Sequence, residues 1–389
     1  MPAHGSDLAA GQLAFVADRM PIVREIGERF RRERPFDGLL VAVRIHIEPK
    51  TGVLIRALRN GGAEVVAMGN AGTTDDGLAE LLRHEGIDVL GARADDAVTI
   101  ASNLEALAGA RPDIVLDNGA ELIARLVETD ERPRGATEET TSGALTLRRA
   151  LAGAVAFPVI VVNDSPLKAI VENKHGVGQS VIDAVRSASN TMLQRKRLVV
   201  IGYGWCGRGI ALYGRAAGAD VAVVEPDAVK ALEAAVDGFA VSDVESELGR
   251  GDIFVTATGH EAVITPTHMA EMKHGALLAN AGHFDTEIDV IGLQEASADA
   301  TKMGPDIRRY VLPTGRAIDL IAEGRMANLA VTGSRGNSIE IMDLGFGLQA
   351  LSLERIALDA DTLAPGDQPV PADIDETIAR AMVAQMTAT

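Results

Sequence analysis

Short apolar runs alternate with amphipathic segments along most of the chain. Residues 39–47 read as a buried strand and 51–58 as a helix that stops at Gly61-Gly62. The next strand is 64–68, followed by a helix over 77–84, and 87–90 and 113–116 repeat the pattern with a helix after each. A second series begins near Leu198, with strands over 198–201, 221–224, 253–256 and 276–280. Fully apolar strands separated by helices predict parallel sheets covered on both faces, an α/β fold. A long helix over 178–196 joins the two series without a break in composition. The segment from Leu312 onward reads as mostly helical, interrupted by a Pro/Gly/Asp-rich stretch at 364–372.

At 389 residues the chain has room for two domains and an appendage. Its 37 basic and 55 acidic side chains give a net charge of −18, which repels phosphate backbones and anionic membranes, so neither nucleic acid nor membrane is an expected partner. Cys206 is the single cysteine, and the eight histidines show no ligand spacing, so no disulfide framework and no metal site is expected. The first residues lack the basic and apolar regions of a signal peptide, and a cytoplasmic location is expected.

The strongest local signal is Val199-Val200-Ile201-Gly202-Tyr203-Gly204-Trp205-Cys206-Gly207, a G-x-G-x-x-G turn after a strand and before a helix. Gly202 permits the tight turn, Gly204 lets a pyrophosphate approach the backbone, and Gly207 allows close helix–strand packing. The second strand ends in Glu225, placed to bond a ribose diol and to repel a 2′-phosphate, so NAD is the expected cofactor.

Further segments resemble a known family. Glu138-Glu139-Thr140-Thr141-Ser142-Gly143, Val162-Asn163-Asp164-Ser165, Lys168 and Glu172-Asn173 are similar to the substrate-domain motifs of the S-adenosylhomocysteine hydrolases. The run 252–259 and Asn280-Ala281-Gly282-His283-Phe284-Asp285 resemble that family's cofactor-domain motifs. The likeness extends from about Val41 to Phe346. It implies two Rossmann-like domains: a discontinuous substrate domain (1–178 and 326–389) and an inserted NAD-binding domain (179–325). It also implies a small-molecule nucleoside substrate and a homo-oligomer, tetramer or dimer.

In that family the nucleoside 3′-hydroxyl is oxidised, the C4′ proton becomes acidic, and the 5′ substituent leaves by elimination. The resemblance makes Lys168 the base at the 3′-hydroxyl, with Glu172, one methylene longer than the family's usual aspartate, orienting it. Glu139 is implied to bond the ribose diol, His46 to serve the leaving group, and His283 to lie near the reacting centre and its gate. Thr140, Thr141, Ser142, Asn173, Thr258 and Asn280 are implied cofactor-side contacts, and Asn328 is implied to bond the nicotinamide carboxamide.

Four positions depart from the family pattern. Asn118 stands where a catalytic aspartate is usual, and an amide takes up no proton in the working range. The purine-contacting stretch reads His46-Ile47-Glu48-Pro49-Lys50, with Lys50 opposite in sign to the usual residue. Gly336-Asn337-Ser338 replaces a Gly-His-Pro loop, and the last residues lack the family's Lys and Tyr. These changes predict an altered outcome: a dehydratase, or lyase, that eliminates the 5′-hydroxyl of an adenine nucleoside as water, as in the biosynthesis of 4′,5′-unsaturated nucleoside antibiotics. The alternatives are a genuine hydrolase of S-adenosyl- or S-inosyl-homocysteine, and a non-catalytic NAD-binding regulatory paralogue.

Overall fold

The computed structural model describes residues 3–282 and 285–387. In chain order come β1 (Leu40–Arg44), β2 (Glu64–Met68), β3 (Asp88–Leu90), β4 (Ile114–Asp117), β5 (Gly135–Glu138) and β6 (Pro158–Val161). They are followed by β7 (Arg197–Ile201), β8 (Asp220–Val224), β9 (Ala240–Ser242), β10 (Ile253–Thr256) and β11 (Ala276–Asn280). The last four are β12 (Asp299–Lys302), β13 (Ile307–Val311), β14 (Ala317–Ile321) and β15 (Gly366–Pro369).

The chain divides into two compact units. The first comprises Met1–Ala169 with Ile339–Thr389, and the second Ile170–Ser338. The boundaries expected at 178/179 and 325/326 therefore lie at 169/170 and 338/339. The reason is packing. Helix Val177–Ser189 sits against helix Trp205–Ala216 so closely that a Cβ on Gly178 would meet the Gly209 backbone. The short helix Ala327–Ala330 bonds back to that same helix through Asn328 and Ser180.

The first unit has one seven-stranded parallel sheet in the order β15-β6-β5-β4-β1-β2-β3. The order reverses between β1 and β4, which opens a crevice at their carboxyl ends, where open α/β sheets bind ligands. β1 and β4 are buried on both faces, so they read as continuous apolar runs. Helices start at acceptor side chains: Asp75 takes the Leu78 N–H, Asp96 that of Thr99, and Thr140 that of Gly143.

The second sheet runs β12-β13-β14-β11-β10-β7-β8-β9, and its reversal falls between β7 and β10. It is parallel except for β12–β13–β14, an antiparallel extension; residues 299–311 had no predicted element, and β14 lies in the segment from Leu312 that was expected to be mostly helical. The stretch at 364–372 is likewise not a bare interruption: it holds β15, which pairs in parallel with β6. The expected helix 178–196 is shorter, Val177–Ser189, and stops at Asn190 in the left-handed region. No helix among the described residues is long and apolar enough to cross a membrane.

Candidate active site

His46 lies just past the end of β1, between the buried side chains of Ile45 and Ile47. Its carbonyl accepts from Thr51 Oγ1 at 2.7 Å, which fixes the backbone. Its Nδ1 is 2.7 Å from Thr73 Oγ1 and 3.4 Å from Asn70 Nδ2. The Thr73 hydroxyl is itself 3.2 Å from the Asn70 carbonyl, to which it donates.

Asn118 follows β4 and Glu139 follows β5, so the parallel pairing of the two strands brings them side by side. Asn118 Nδ2 donates to Glu139 Oε2 at 2.7 Å, and Lys168 Nζ donates to Glu139 Oε1 at 3.3 Å. All three side chains are buried. Burial alone would raise the Glu139 pKa, but the Lys168 ammonium, the Asn118 amide and nearby His46 hold it below the usual carboxylate value. With its nitrogen committed, Asn118 keeps a buried carbonyl oxygen, Oδ1, that no group among the described residues satisfies. Such an atom calls for a donor from water or a ligand.

A second layer of carboxylates supports this chain, and sequence reasoning gave it no role. Glu138 accepts from the N–H groups of Gly119 (3.0 Å), Ala120 (2.8 Å) and Thr140 (2.6 Å), and from the Thr140 hydroxyl. It thereby ties together the two turns that carry Asn118 and Glu139. Ala120 sits in the left-handed region at φ 59°, a conformation that costs a non-glycine residue energy and that these bonds help hold. Gly143 has no room for a Cβ against the Glu138 carboxyl. Burial and the adjacent Asp117 carboxylate push the Glu138 pKa up to about 8, against the pull of its donors. Asp117 accepts from Ile123 N and Asn118 N and lies 3.8 Å from Arg44, which also donates to the Asn118 carbonyl at 2.7 Å.

The hydroxyls expected near the cofactor are partly spoken for. Thr140 caps helix Thr141–Arg149 and bonds Glu138, Ser142 Oγ is 3.0 Å from Thr140 Oγ1, and Thr141 donates to Asn163 at 3.1 Å. Below His46, Lys50 Nζ pairs with Glu48 Oε2 at 3.2 Å. Lys50 is only 5% exposed, and burial raises the Glu48 pKa although Lys50 opposes it.

In the second unit the three glycines of the turn have separable physical reasons. Gly202 has φ +99°, and a Cβ there would come within 2.7 Å of the Ala257 carbonyl. A Cβ on Gly207 would collide with the Gly202 carbonyl, whereas Gly204 has open space above it. That open space at the start of helix Trp205–Ala216 fits a pyrophosphate approaching the backbone. Glu225 accepts from the N–H of Tyr203 (2.6 Å) and of Asp227 (3.0 Å), which orients it at the end of β8. Asn328 Nδ2 donates to Ser180 Oγ at 3.2 Å, and the buried Asn328 Oδ1 has no partner among the described residues. An orphaned acceptor there suits a carboxamide N–H₂. The donor set therefore fits NAD.

Other expected contacts turn inward. Asn280 Oδ1 accepts from Thr256 Oγ1 and Gly282 N, and its Nδ2 donates to the carbonyls of Gly282 and Gly324. Thr258 donates through N and Oγ1 to Glu287, each at 3.0 Å. Both side chains hold the loops after β10 and β11. Lys168 belongs to the first unit, while Glu172, which is buried, and Asn173 belong to the second. The helix they share, Lys168–Gly176, is a π-helix and not the α-helix that the four-residue spacing suggested. His283 lies outside the described residues.

Comparison with known proteins supplies the context. Residues 6–133 match the family model described as S-adenosyl-L-homocysteine hydrolase. Residues 173–334 match that described as S-adenosyl-L-homocysteine hydrolase, NAD binding domain. The chain is 44% identical over 382 residues to the S-inosyl-L-homocysteine hydrolase of Methanopyrus kandleri, covering 96% of this chain and 89% of that protein. It is 41% identical to the adenosylhomocysteinases of Aquifex aeolicus (93% and 88% covered) and Archaeoglobus fulgidus (94% and 91%). These near-full-length relatives are hydrolases, which overturns the expectation of a dehydratase that stops at an unsaturated nucleoside. The departures at 118, 50 and 337 lie within a hydrolase framework.

Proposed function

The chain belongs to the S-adenosyl-L-homocysteine hydrolase family and uses NAD, and from that premise we propose that it hydrolyses the thioether of an S-nucleosyl-L-homocysteine, preferring the 6-oxopurine (S-inosyl) compound. The observation that carries the reaction is the buried chain Lys168–Glu139–Asn118 at the switch point of the first sheet.

Lys168, as the neutral amine, takes the 3′-hydroxyl proton, and Glu139 accepts from the ribose diol and balances the ammonium that results. NAD, held by the 202–207 turn, Glu225 and Asn328, would supply the hydride acceptor for the 3′ carbon and the hydride for its return. The 3′-ketone acidifies C4′–H, the C5′–S bond breaks as the C4′=C5′ bond forms, and His46 serves the departing sulfur. Water then adds at C5′, and the products are the nucleoside and homocysteine.

The purine preference follows from Lys50. In the stretch that contacts the base by resemblance, a buried ammonium replaces an acceptor, and a lysine only donates. A 6-oxo group accepts such a bond and a 6-amino group does not. Thiol release from S-inosyl- and S-adenosyl-L-homocysteine by the NAD-loaded enzyme tests both parts. A kcat/KM at least about tenfold higher for the inosyl compound is expected, roughly one good hydrogen bond. Release from neither compound overturns the hydrolase reading, and a preference for the adenosyl compound overturns the base assignment. A homo-oligomer, dimer or tetramer, in the cytoplasm belongs to the same proposal, and light scattering of the purified protein measures its size.

A further inference from the structure

Helix Ile339–Asp359 of the first unit lies against β4, β5 and the turn Val162–Asp164 that follows β6. It meets β5 closely at one point, where a Cβ on Gly135 would come within 2.9 Å of Ile356 Cγ2. Beside it, Arg134 Nη1 donates to the Ala357 carbonyl at 3.4 Å. The last turns of the helix therefore sit at the start of β5, and the helix runs antiparallel to the strand, toward the carboxyl edge. Helical spacing puts Ser352 and Gln349 on the same stripe as Ile356, while Gly347 on the opposite face points at Ile22 and Ile378. Alternation along β5 puts Thr137 on the face of Gly135. Ser352 is about 6 Å from Ile356 along the helix and Thr137 about 7 Å from Gly135 along the strand, so the two stand level. Gln349 follows them, just under one turn nearer the carboxyl edge.

Thr137, Gln349 and Ser352 have no exposed surface. Thr137 Oγ1, Ser352 Oγ and both amide atoms of Gln349 have no hydrogen-bond partner among the described residues. The neighbours of Thr137 across the sheet, Leu116 and Ile160, are apolar and offer it none. A helical serine can bond the carbonyl one turn back, and Ser352 does not. Gly345, next on the stripe, brings no side chain to fill the layer. Four buried polar atoms gathered in one layer call for a common partner.

We propose that Thr137, Gln349 and Ser352 form a binding site for internal water between helix Ile339–Asp359 and β5. The donor set selects water. Gln349 Nε2 requires an acceptor and Gln349 Oε1 a donor, and a water molecule is both, while the two hydroxyls give or take a proton as it requires. A cation would leave Nε2 unmet, and none of the three residues carries a charge to balance it. The site fixes the register of the helix on the strand that ends at Glu138 and leads into Glu139. It involves no substrate, so it stands or falls apart from the hydrolase reading.

The test uses the full chain with NAD bound. In a high-resolution crystal structure, a density peak about 2.7–3.2 Å from at least two of the four atoms is expected. Direct bonds among the three side chains, or no peak, overturn the proposal. So does a peak about 2.4 Å from oxygens alone, which marks a cation. Thermal melting of variants gives a second reading. Thr137→Val keeps the shape and removes the hydroxyl, and a fall in Tm of about 3–6 °C is expected because the water loses a partner. A rise or no change overturns the proposal, since removing a hydroxyl that binds nothing relieves its burial. Ser352→Ala is expected to lower Tm as well. The double variant is expected to fall by less than the two single losses together, because both act on the same water. Full additivity overturns the shared site. The crystal measurement needs no variant, so it decides the matter even where a substitution prevents folding.

Discussion

At the carboxyl end of β7 the contacts offered to a ligand are main-chain ones: a glycine turn, the start of a helix and an open space above Gly204. At the ends of β1, β4 and β5 they are side chains drawn from positions 46, 118 and 139, with Lys168 reaching in from beyond β6. Both edges rest on buried carboxylates that accept loop N–H groups. Glu138 ties the turns at 119–120 and 140 in the first unit, and Glu287 ties 258–259 in the second. Each displaces a Cβ from a neighbouring glycine, Gly143 and Gly282 respectively. A backbone-built site is tolerant of side-chain drift and intolerant of volume. A side-chain-built site has the opposite sensitivity, and Asn118 is a case of such drift in this chain.

That contrast sets the order of expected effects. Lys168→Met removes the proposed base at the 3′-hydroxyl and is expected to lower kcat by about 10³-fold. NAD content of the purified protein is expected to stay unchanged, and loss of NAD along with activity would break the separation of the two edges. Gly207→Ala puts a methyl into the Gly202 carbonyl, with a stability cost of roughly 1–3 kcal/mol. Its expected signature is a lowered melting temperature with NAD content reduced, and an unchanged melting curve would show that the turn relaxes freely. Gly204→Ala meets no protein atom, so its melting temperature is expected to match the wild type when NAD has been removed. NAD affinity is expected to drop about tenfold, or roughly 1.4 kcal/mol, by calorimetric titration.

A separate effect concerns a carboxylate remote from both edges. Asp343 is buried and accepts from Ile22 N and Val23 N at the start of helix Pro21–Glu33. Burial raises its pKa to about 6 although those N–H groups oppose the shift. A raised acid makes the folded state hold an extra proton between about pH 4 and 6. Its contribution to stability therefore falls as pH rises through that window and is level above it. Asp343→Asn is expected to remove this slope, about 3 kcal/mol at most, in denaturant unfolding compared at pH 4.5 and 7. An identical slope in wild type and variant would place the titration elsewhere.

The nucleotide-binding edge was readable from the chain alone because its parts are contiguous. Gly202, Gly204 and Gly207 lie within one turn, and Glu225 closes the following strand. The first unit's site was legible only through resemblance, since its residues are separated by dozens of positions and share no period. The resemblance implied Thr258 and Asn280 as cofactor-side contacts, and within the protein they also bond Glu287 and loop carbonyls. A polar side chain at a strand end looks the same in sequence whether it faces a ligand or a loop. The departures at 118 and 50 invited a changed reaction, but framework-wide identity to hydrolases outweighs a few altered contacts.

The sequence by itself determined the α/β alternation, strands β1–β4 of the first sheet and β7, β8, β10 and β11 of the second, the NAD turn and the family. Each is written in local period or contiguous motif. Tertiary structure decided where the units divide, which hydroxyls are caps, and that β12–β13 and β15 extend the sheets. It also decided that Thr73 meets His46 and that Asn118 meets Glu139. Those facts depend on strand order and on which buried donor finds which acceptor, and no spacing along the chain encodes a pairing between residues 27 or 21 positions apart.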